Sequence, residues 1–353
     1  MSGTGGPLNA SSKWPLRLTG AYGTMLFAVT VLNWLGADHL WPGALNLYLP
    51  QIMWALPGLF LALFFFKVDR RRIWLPLLCV LWVLGPIMGF CWSLPAAKPA
   101  SGSLAVRVMT WNIKYGSYRI APLIEEIARR DPDVVFLQDA TGSMKGPLGD
   151  YFKNWQVRSY GQYVIASRFP LSQAEVGELP TSSDKQECFL RCQMRIGTAV
   201  VALYNLHLKT PRRSLNAFRT ARRQPWYLPE AIDYFNANVR LRQLQAMSML
   251  EFLSEEHGPV IVAGDLNAPD ASTVCATLRD AGLHDAFAES GAGYGFTYGH
   301  FLFKNRLPWL RASWMRIDHI MVNSWFVARR CWAGSGKASD HRPVIADLVL
   351  KYP

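Results

Sequence analysis

Charge is scarce in this sequence, and scarcest at its start. Only 18% of the 353 residues are Asp, Glu, Lys or Arg. Residues 1–103 hold seven Lys/Arg and two Asp/Glu, whereas 104–353 hold thirty and twenty-three. Half of the residues are apolar, which excludes a disordered chain and leaves enough material for a large core. Cysteine is sparse too. Six cysteines without a zinc-like spacing exclude a disulfide-dense miniprotein, and buried free thiols are the reading that fits them. Acid is short relative to base. The net charge of +12 and pI near 9.5 make polyanions or anionic membrane surfaces the expected partners.

What the first hundred residues do have is long uncharged runs. Residues 18–37, 47–66 and 73–94 carry no Asp, Glu, Lys or Arg. Each is about the 20 helical residues that cross a hydrocarbon layer of about 30 Å. We therefore expect three transmembrane helices within 1–94, with prolines at 50, 57, 76 and 86 tolerated where neighbours satisfy the freed carbonyls. Lys13 and Arg17 precede the first run, and Lys67, Arg70, Arg71 and Arg72 follow the second. Basic ends stay in the cytoplasm, so the third helix exits outward and everything after it is expected to be extracytoplasmic. Residues 95–103 read as a Pro/Ser/Gly linker.

Residues 104–353 look like an ordinary α/β domain. Strands are expected at 104–112, 133–137, 163–167, 188–196, 199–208, 260–263, 317–322 and 344–350, and helices at 120–130, 239–256 and 273–281. Polar residues gather where these strands end: Asn112, Asp139, Asn205 with His207, Asp265 with Asn267, Asp318 and Asp340 with His341. One such Asp or Asn is an ordinary turn former. Six groups at corresponding strand ends point to a shared site.

Those groups lie in stretches that resemble a known family. MTWNIKYG at 109–116, PDVVFLQDA at 132–140, YVIASRFPL at 163–171, YNLHLKTP at 204–211, VIVAGDLNAPD at 260–270, RIDHIMV at 316–322 and SDHRPVIADL at 339–348 are similar, in order, to motifs of the endonuclease/exonuclease/phosphatase superfamily. The resemblance covers essentially all of 104–353. It implies a four-layer α/β sandwich with the site at one end of two packed sheets, and hydrolysis of a phosphoric ester with Mg²⁺ or Mn²⁺. It implies Asn112 and Asp139 at the metal end, with Asp139 the direct ligand and Asp340 near a second metal position. Asp265 would orient or deprotonate the attacking water, and Asn267 would hold a phosphate oxygen or the nucleophile. His341 would act as base or phosphate donor, Asp318 would fix its tautomer, and His207 would donate to phosphoryl oxygens. Hard oxygen ligands suit such ions, which bridge to phosphate.

One position departs from the pattern. The family usually carries Glu where this chain has Asp139. A ligand sphere at about 2.0–2.1 Å makes the missing methylene consequential. Three readings follow: a membrane-tethered phosphodiesterase acting on a lipid head group or envelope phosphodiester, an extracytoplasmic nuclease on DNA or RNA, or a phosphate-binding module. Two basic-aromatic stretches, 209–242 and 301–316, are candidates for substrate contact.

Overall fold

The computed structural model describes residues 13–93, 104–116, 120–182, 186–299 and 312–351. The expected linker 95–103 and, in the second basic-aromatic stretch, Lys304, Arg306, Trp309 and Arg311 lie outside them.

The apolar N-terminal part forms helices α1 (Lys13–Trp34), α2 (Trp41–Tyr48), α3 (Leu56–Val68) and α4 (Trp74–Trp82). A 3-10 stretch, Gln51–Ala55, runs directly into α3. Among the described residues, two helices are long and apolar enough to cross a bilayer, Lys13–Trp34 and the continuous Gln51–Val68. The third expected span is shorter than the sequence suggests. Gly85 and Pro86 turn the end of α4 into a π turn, Val83–Ile87, and Cys91–Trp92 is already a strand, β1. Residues 74–87 rise about 21 Å at about 1.5 Å each, short of a 30 Å hydrocarbon layer. The second span also begins later than 47. Pro50 separates α2 from the helix that follows, and Tyr48 packs on the α/β domain. α1, the 3-10 stretch before α3 and the π turn after α4 meet through Tyr22, Leu26, Ala55, Val83 and Ile87. Their outer faces are apolar and bare, with Phe60 69% exposed.

The remaining elements, in order, are β2 (Ala105–Asn112), α5 (Ile120–Arg130), β3 (Val134–Gln138), α6 (Pro147–Tyr151), β4 (Gln156–Tyr160), β5 (Tyr163–Ser167), β6 (Glu175–Leu179), β7 (Glu187–Ile196) and β8 (Ala199–His207). They continue with α7 (Arg212–Arg223), α8 (Leu228–Ser254), β9 (Val260–Asp265), α9 (Thr273–Asp280), β10 (His284–Asp285), α10 (Ala286–Ser290), β11 (Ala292–Gly293), β12 (Asp318–Val322), β13 (Phe326–Ala333) and β14 (Val344–Leu350). β1 pairs with β11, so the end of the N-terminal part is stitched to the domain.

Two six-stranded mixed sheets result, β13-β14-β2-β3-β5-β4 and β10-β12-β9-β8-β7-β6. They repeat one pattern. β2 and β3 are parallel and flanked by antiparallel strands, and so are β9 and β8. Parallel neighbours need a crossover; α5 supplies one, and α7 with α8 the other. β3 and β9 are buried along their whole length, as expected for central strands covered on both faces.

Val108, Phe136, Ile165, Leu203, Ile261 and Ile320 pack between the sheets. α5 and α6 cover one outer face through Leu123, Ile127 and Leu148. α8 and α9 cover the other through Ala246, Met249, Val274 and Leu278. Helix, sheet, sheet and helix make the four expected layers.

Candidate active site

The two parallel pairs deliver their C-terminal ends to one place. Asn112 lies beside Gln138 at the end of β2/β3. His207 lies beside Asp265 at the end of β8/β9, and Asp318, opening β12, faces Asp265 from the other side. Just beyond these strands, Asp139 and Asn267 both adopt φ +49°, a left-handed conformation that Asp and Asn tolerate better than most residues. Gly264 leaves room for the parallel neighbour. A Cβ there would collide with the Leu206 carbonyl.

A side-chain bond joins the sheets. Asn112 Nδ2 donates to Asp265 Oδ2 at 2.9 Å, and the Asn267 amide N donates to Asp265 Oδ1 at 2.9 Å. Asp265 is 1% exposed. Burial and the Asp318 carboxylate push its pKa up. Its Oδ2 lies 3.5 Å from His207 Nε2 and 3.8 Å from His341 Nε2.

His341 is held from behind. Its Nδ1 lies 2.9 and 3.1 Å from the two oxygens of Asp318, so Nδ1 carries the proton and Nε2 is the working nitrogen. Burial alone would favour the neutral ring, but the Asp318 and Asp265 carboxylates outweigh it and lift the pKa to about 9. His207 Nδ1 donates to Gln162 Oε1 at 2.8 Å. Its Nε2 is thereby turned to Asp265.

The other expected residues also line the same cleft, of about 1100 Å³. Asp139 stands 3.6 Å from His207 Nδ1. Asp340 takes an ion pair from Lys114 at 3.0 Å, and its other oxygen is buried with no partner among the described residues. Burial opposes the charge on Asp340, but His341, Lys114 and Arg212 hold its pKa low. Asn267 turns its amide to the Leu208 carbonyl at 3.0 Å. Among the described Asp, Glu, His and Cys residues, the tightest group at this site is Asp265, Asp318 and His341, with ligand atoms within 4.8 Å. The Asp318–His341 bond accounts for that closeness.

A second acidic group, Asp270, Asp285 and His319, is an ion-pair knot. Arg316 fills it, with Nη1 2.8 Å from both Asp285 oxygens and Nη2 paired to Asp270. His319 donates from Nδ1 to Asp285 at 2.8 Å and from Nε2 to the Ala268 carbonyl at 3.0 Å. Adjacent strand residues face opposite ways, so Asp318 enters the site while His319 anchors the strand beneath it.

Sequence reasoning missed four residues. Lys114 sits inside a matched motif. Gln162 occupies a turn that carries no chemical signal. Tyr298 packs on His341 in a tilted ring pair with centroids 4.5 Å apart and comes from a segment without a regular element. Tyr48 belongs to a run read as transmembrane; its hydroxyl donates to the Asn267 carbonyl at 2.9 Å.

The sequence profile of the Endonuclease/Exonuclease/phosphatase family matches residues 109–341. No curated protein matches the chain in sequence. Among solved structures, truncated Caenorhabditis elegans TDP2 is similar at 18% identity and TM-score 0.51, over 69% of this chain and 98% of its own. A Bacteroides thetaiotaomicron endonuclease/exonuclease/phosphatase family protein is similar at 14% identity and TM-score 0.52, over 70% and 99%. Danio rerio TDP2 complexed with single-strand DNA product is similar at 16% identity and TM-score 0.51, over 69% and 98%.

Proposed function

The chain belongs to the endonuclease/exonuclease/phosphatase family, hydrolases of phosphoric ester bonds, and from that premise we propose that it is a divalent-metal-dependent phosphodiesterase tethered to a membrane. The observation that carries this reading is the contact between the two strand-end groups. Asn112 reaches Asp265 across the sheets, and His341, backed by Asp318, stands beside them in one cleft.

Each side chain has a task its surroundings suit. Asp265 is the base: it is buried, its charge is opposed by Asp318, and a water's proton would relieve that opposition. The water oxygen bonds to phosphorus, its proton passes to Asp265, and the bond from phosphorus to the leaving oxygen breaks. The leaving oxygen takes its proton from solvent. His341, protonated and locked by Asp318, offers Nε2–H to a non-bridging oxygen. His207, whose Nδ1–H goes to Gln162, would offer a second donor from Nε2 in its protonated form. Such fixed donors stabilise the charge that grows in the transition state.

Asn112, Asp139 and Asp340 would hold Mg²⁺ or Mn²⁺. Their donors are all oxygens, and the unpartnered Asp340 oxygen is an atom a cation would satisfy. When bound, the ion neutralises phosphoryl charge.

The membrane part of the proposal rests on where the N-terminal segments touch the domain. Asp38, between α1 and α2, accepts from Thr273 N at 2.8 Å in the first turn of α9, and Trp314 Nε1 donates to the Tyr48 carbonyl at 3.1 Å. After α4, Ser93 Oγ donates to the Gly291 carbonyl at 2.6 Å. The connection before the second long helix and the one after α4 both touch the domain, whereas Lys67–Arg72 forms the turn between α3 and α4, at their other end. That supports the expected orientation, with the basic turn cytoplasmic and the domain extracytoplasmic, even with a short third helix. A C-terminal reporter active only outside the cytoplasm should be active; cytoplasmic reporter activity would contradict this.

The activity is tested with full-length protein, Mg²⁺ or Mn²⁺ and a chromogenic phosphodiester. Wild type should turn over, and Asp265→Ala or His341→Ala should lower kcat by at least about 100-fold. Equal rates for all three would refute the assignment. A nuclease is the second reading, favoured by the likeness to a TDP2 that holds a single-strand DNA product and by the arginines along the cleft.

A further inference from the structure

The cleft does not stop at the catalytic residues. It continues along the α7–α8 hairpin, lined by Arg212, Arg213, Asn216 and Arg219 on α7 and by Tyr234, Ala237 and Leu241 on α8. α7 carries five arginines and no acid in 12 residues. Arg212, Asn216, Arg219 and Arg223 follow i, i+4, i+7 and i+11, one face of a helix. Arg212 and Arg213 also crowd the N-terminal end, where the helix dipole disfavours cations. Packing does not call for this charge. The hairpin is joined through Ala217, Ala221 and Ala231 on the other side. Arg212 is engaged with Tyr298 and Asp340, but Arg213 has no ion-pair partner among the described residues. A row of like charges lining a cleft favours an anion there.

The hairpin's surroundings indicate what kind of anion. Phe218 of α7 stacks on Trp41 of α2 at 6.0 Å, and Phe235 of α8 meets Tyr48 edge-on at 6.3 Å. α2 is the connection between the two long apolar helices. The hairpin is therefore fastened to the part of the chain that would sit at a bilayer surface. Its tip exposes Trp226 (74%) and Leu228 beside Arg222 and Arg223, a mixture suited to a headgroup layer.

We infer that the arginine face of α7 is a second anion subsite, which holds a further phosphate on the head group of an anionic lipid while the phosphodiester is cut at Asp265 and His341. Arg212 to Arg219 spans seven residues, so the two phosphates would lie on the order of 10 Å apart. The apolar face of α8 would receive the glyceride end. This deepens the phosphodiesterase reading and rests on it for the cutting step, though not for binding.

The test uses full-length protein in detergent micelles and the double variant Arg213→Gln/Arg219→Gln. Neither side chain belongs to the catalytic group. Four substrates are compared: a small chromogenic phosphodiester, a short-chain phosphodiester lipid with a second head-group phosphate, the same lipid without it, and a single-stranded oligonucleotide. Calorimetry measures metal-free binding of the bisphosphate head group alone. Wild type should bind that head group and show a KM for the bisphosphate lipid at least tenfold below that for the monophosphate lipid. The variant should lose both properties and keep its rate on the chromogenic diester, and Arg213→Lys/Arg219→Lys should recover part of the preference. Equal KM values for the two lipids in wild type would overturn the subsite. So would a variant that loses activity on the chromogenic diester and both lipids together, or a tenfold preference for the oligonucleotide over both lipids. If head-group binding is present but no substrate is cut, the phosphodiesterase reading fails while the subsite stands.

Discussion

Asp318 shows how one residue acts through another. It reaches no open part of the cleft, being fully buried, yet both of its oxygens face His341 Nδ1. Replacing it with Asn keeps the shape and loses the charge that holds the ring protonated, and with it the Nε2–H donor. We expect Asp318→Asn to lower kcat by about 100- to 10,000-fold with KM little changed; steady-state kinetics decides, and a change confined to KM would contradict the role. Asp139 calls for the opposite experiment. Its carboxylate is a methylene short of the family's usual Glu, so Asp139→Glu should bring the oxygens nearer an ion and tighten Mn²⁺. The metal concentration giving half-maximal activity should fall severalfold; no change would mean the position does not touch metal. Asp285 makes a stability prediction. Burial opposes its charge, but Arg316 and His319 overcome that and hold its carboxyl far below the ordinary range. A depressed pKa stabilises the fold above the unfolded value of about 4, and the contribution is lost only as pH falls through the folded value. Asp285→Asn leaves Arg316 with a buried partner removed, and should cost about 3–5 kcal/mol in denaturant unfolding at pH 7. The gap to wild type should hold from pH 5 to 8 and shrink only in stronger acid.

Central strands and edge strands differ in how they can be read. β3, β5 and β9 are buried at every position, so their sequences are unbroken apolar runs, and 133–137, 163–167 and 260–263 are legible. β4, β6, β10 and β13 are absent from the sequence reading, and all four lie at sheet edges. β4, β6 and β13 expose part of their length and β10 is two residues long, which leaves them looking like loops. The same cause hid the start of α8, which begins at Leu228 instead of 239. Its first turns belong to a hairpin facing the cleft, not to the sheet. Strand-end polar residues were legible because the strands before them were. Gln162, Tyr298 and Tyr48 were not, since each reaches the site through tertiary contact alone. Gly264 gives the element-scale prediction. Its φ of +156° and the nearby Leu206 carbonyl leave no space for a side chain, so Gly264→Ala should lower stability by more than about 1 kcal/mol in thermal melts. An unchanged melting temperature would mean β8 and β9 are not packed this closely.

For the whole molecule, the repeated sheet pattern places the chemistry. Two parallel pairs, one in each sheet, bring their C-terminal ends together, and Asn112 and Asp265 close the gap between them. The N-terminal helices are not a detached tail. Asp38 holds the first turn of α9, Tyr48 holds the loop after β9, and β1 pairs with β11. Asp265 can act as a base only if a water stands between it and a phosphorus atom. Hydrolysis in ¹⁸O-enriched water reads this directly. One ¹⁸O should appear in the phosphate-bearing product of a phosphodiester, and the label should vanish with the activity in Asp265→Ala. Label in the alcohol, or labelled phosphate formed equally well without Asp265, would contradict the account.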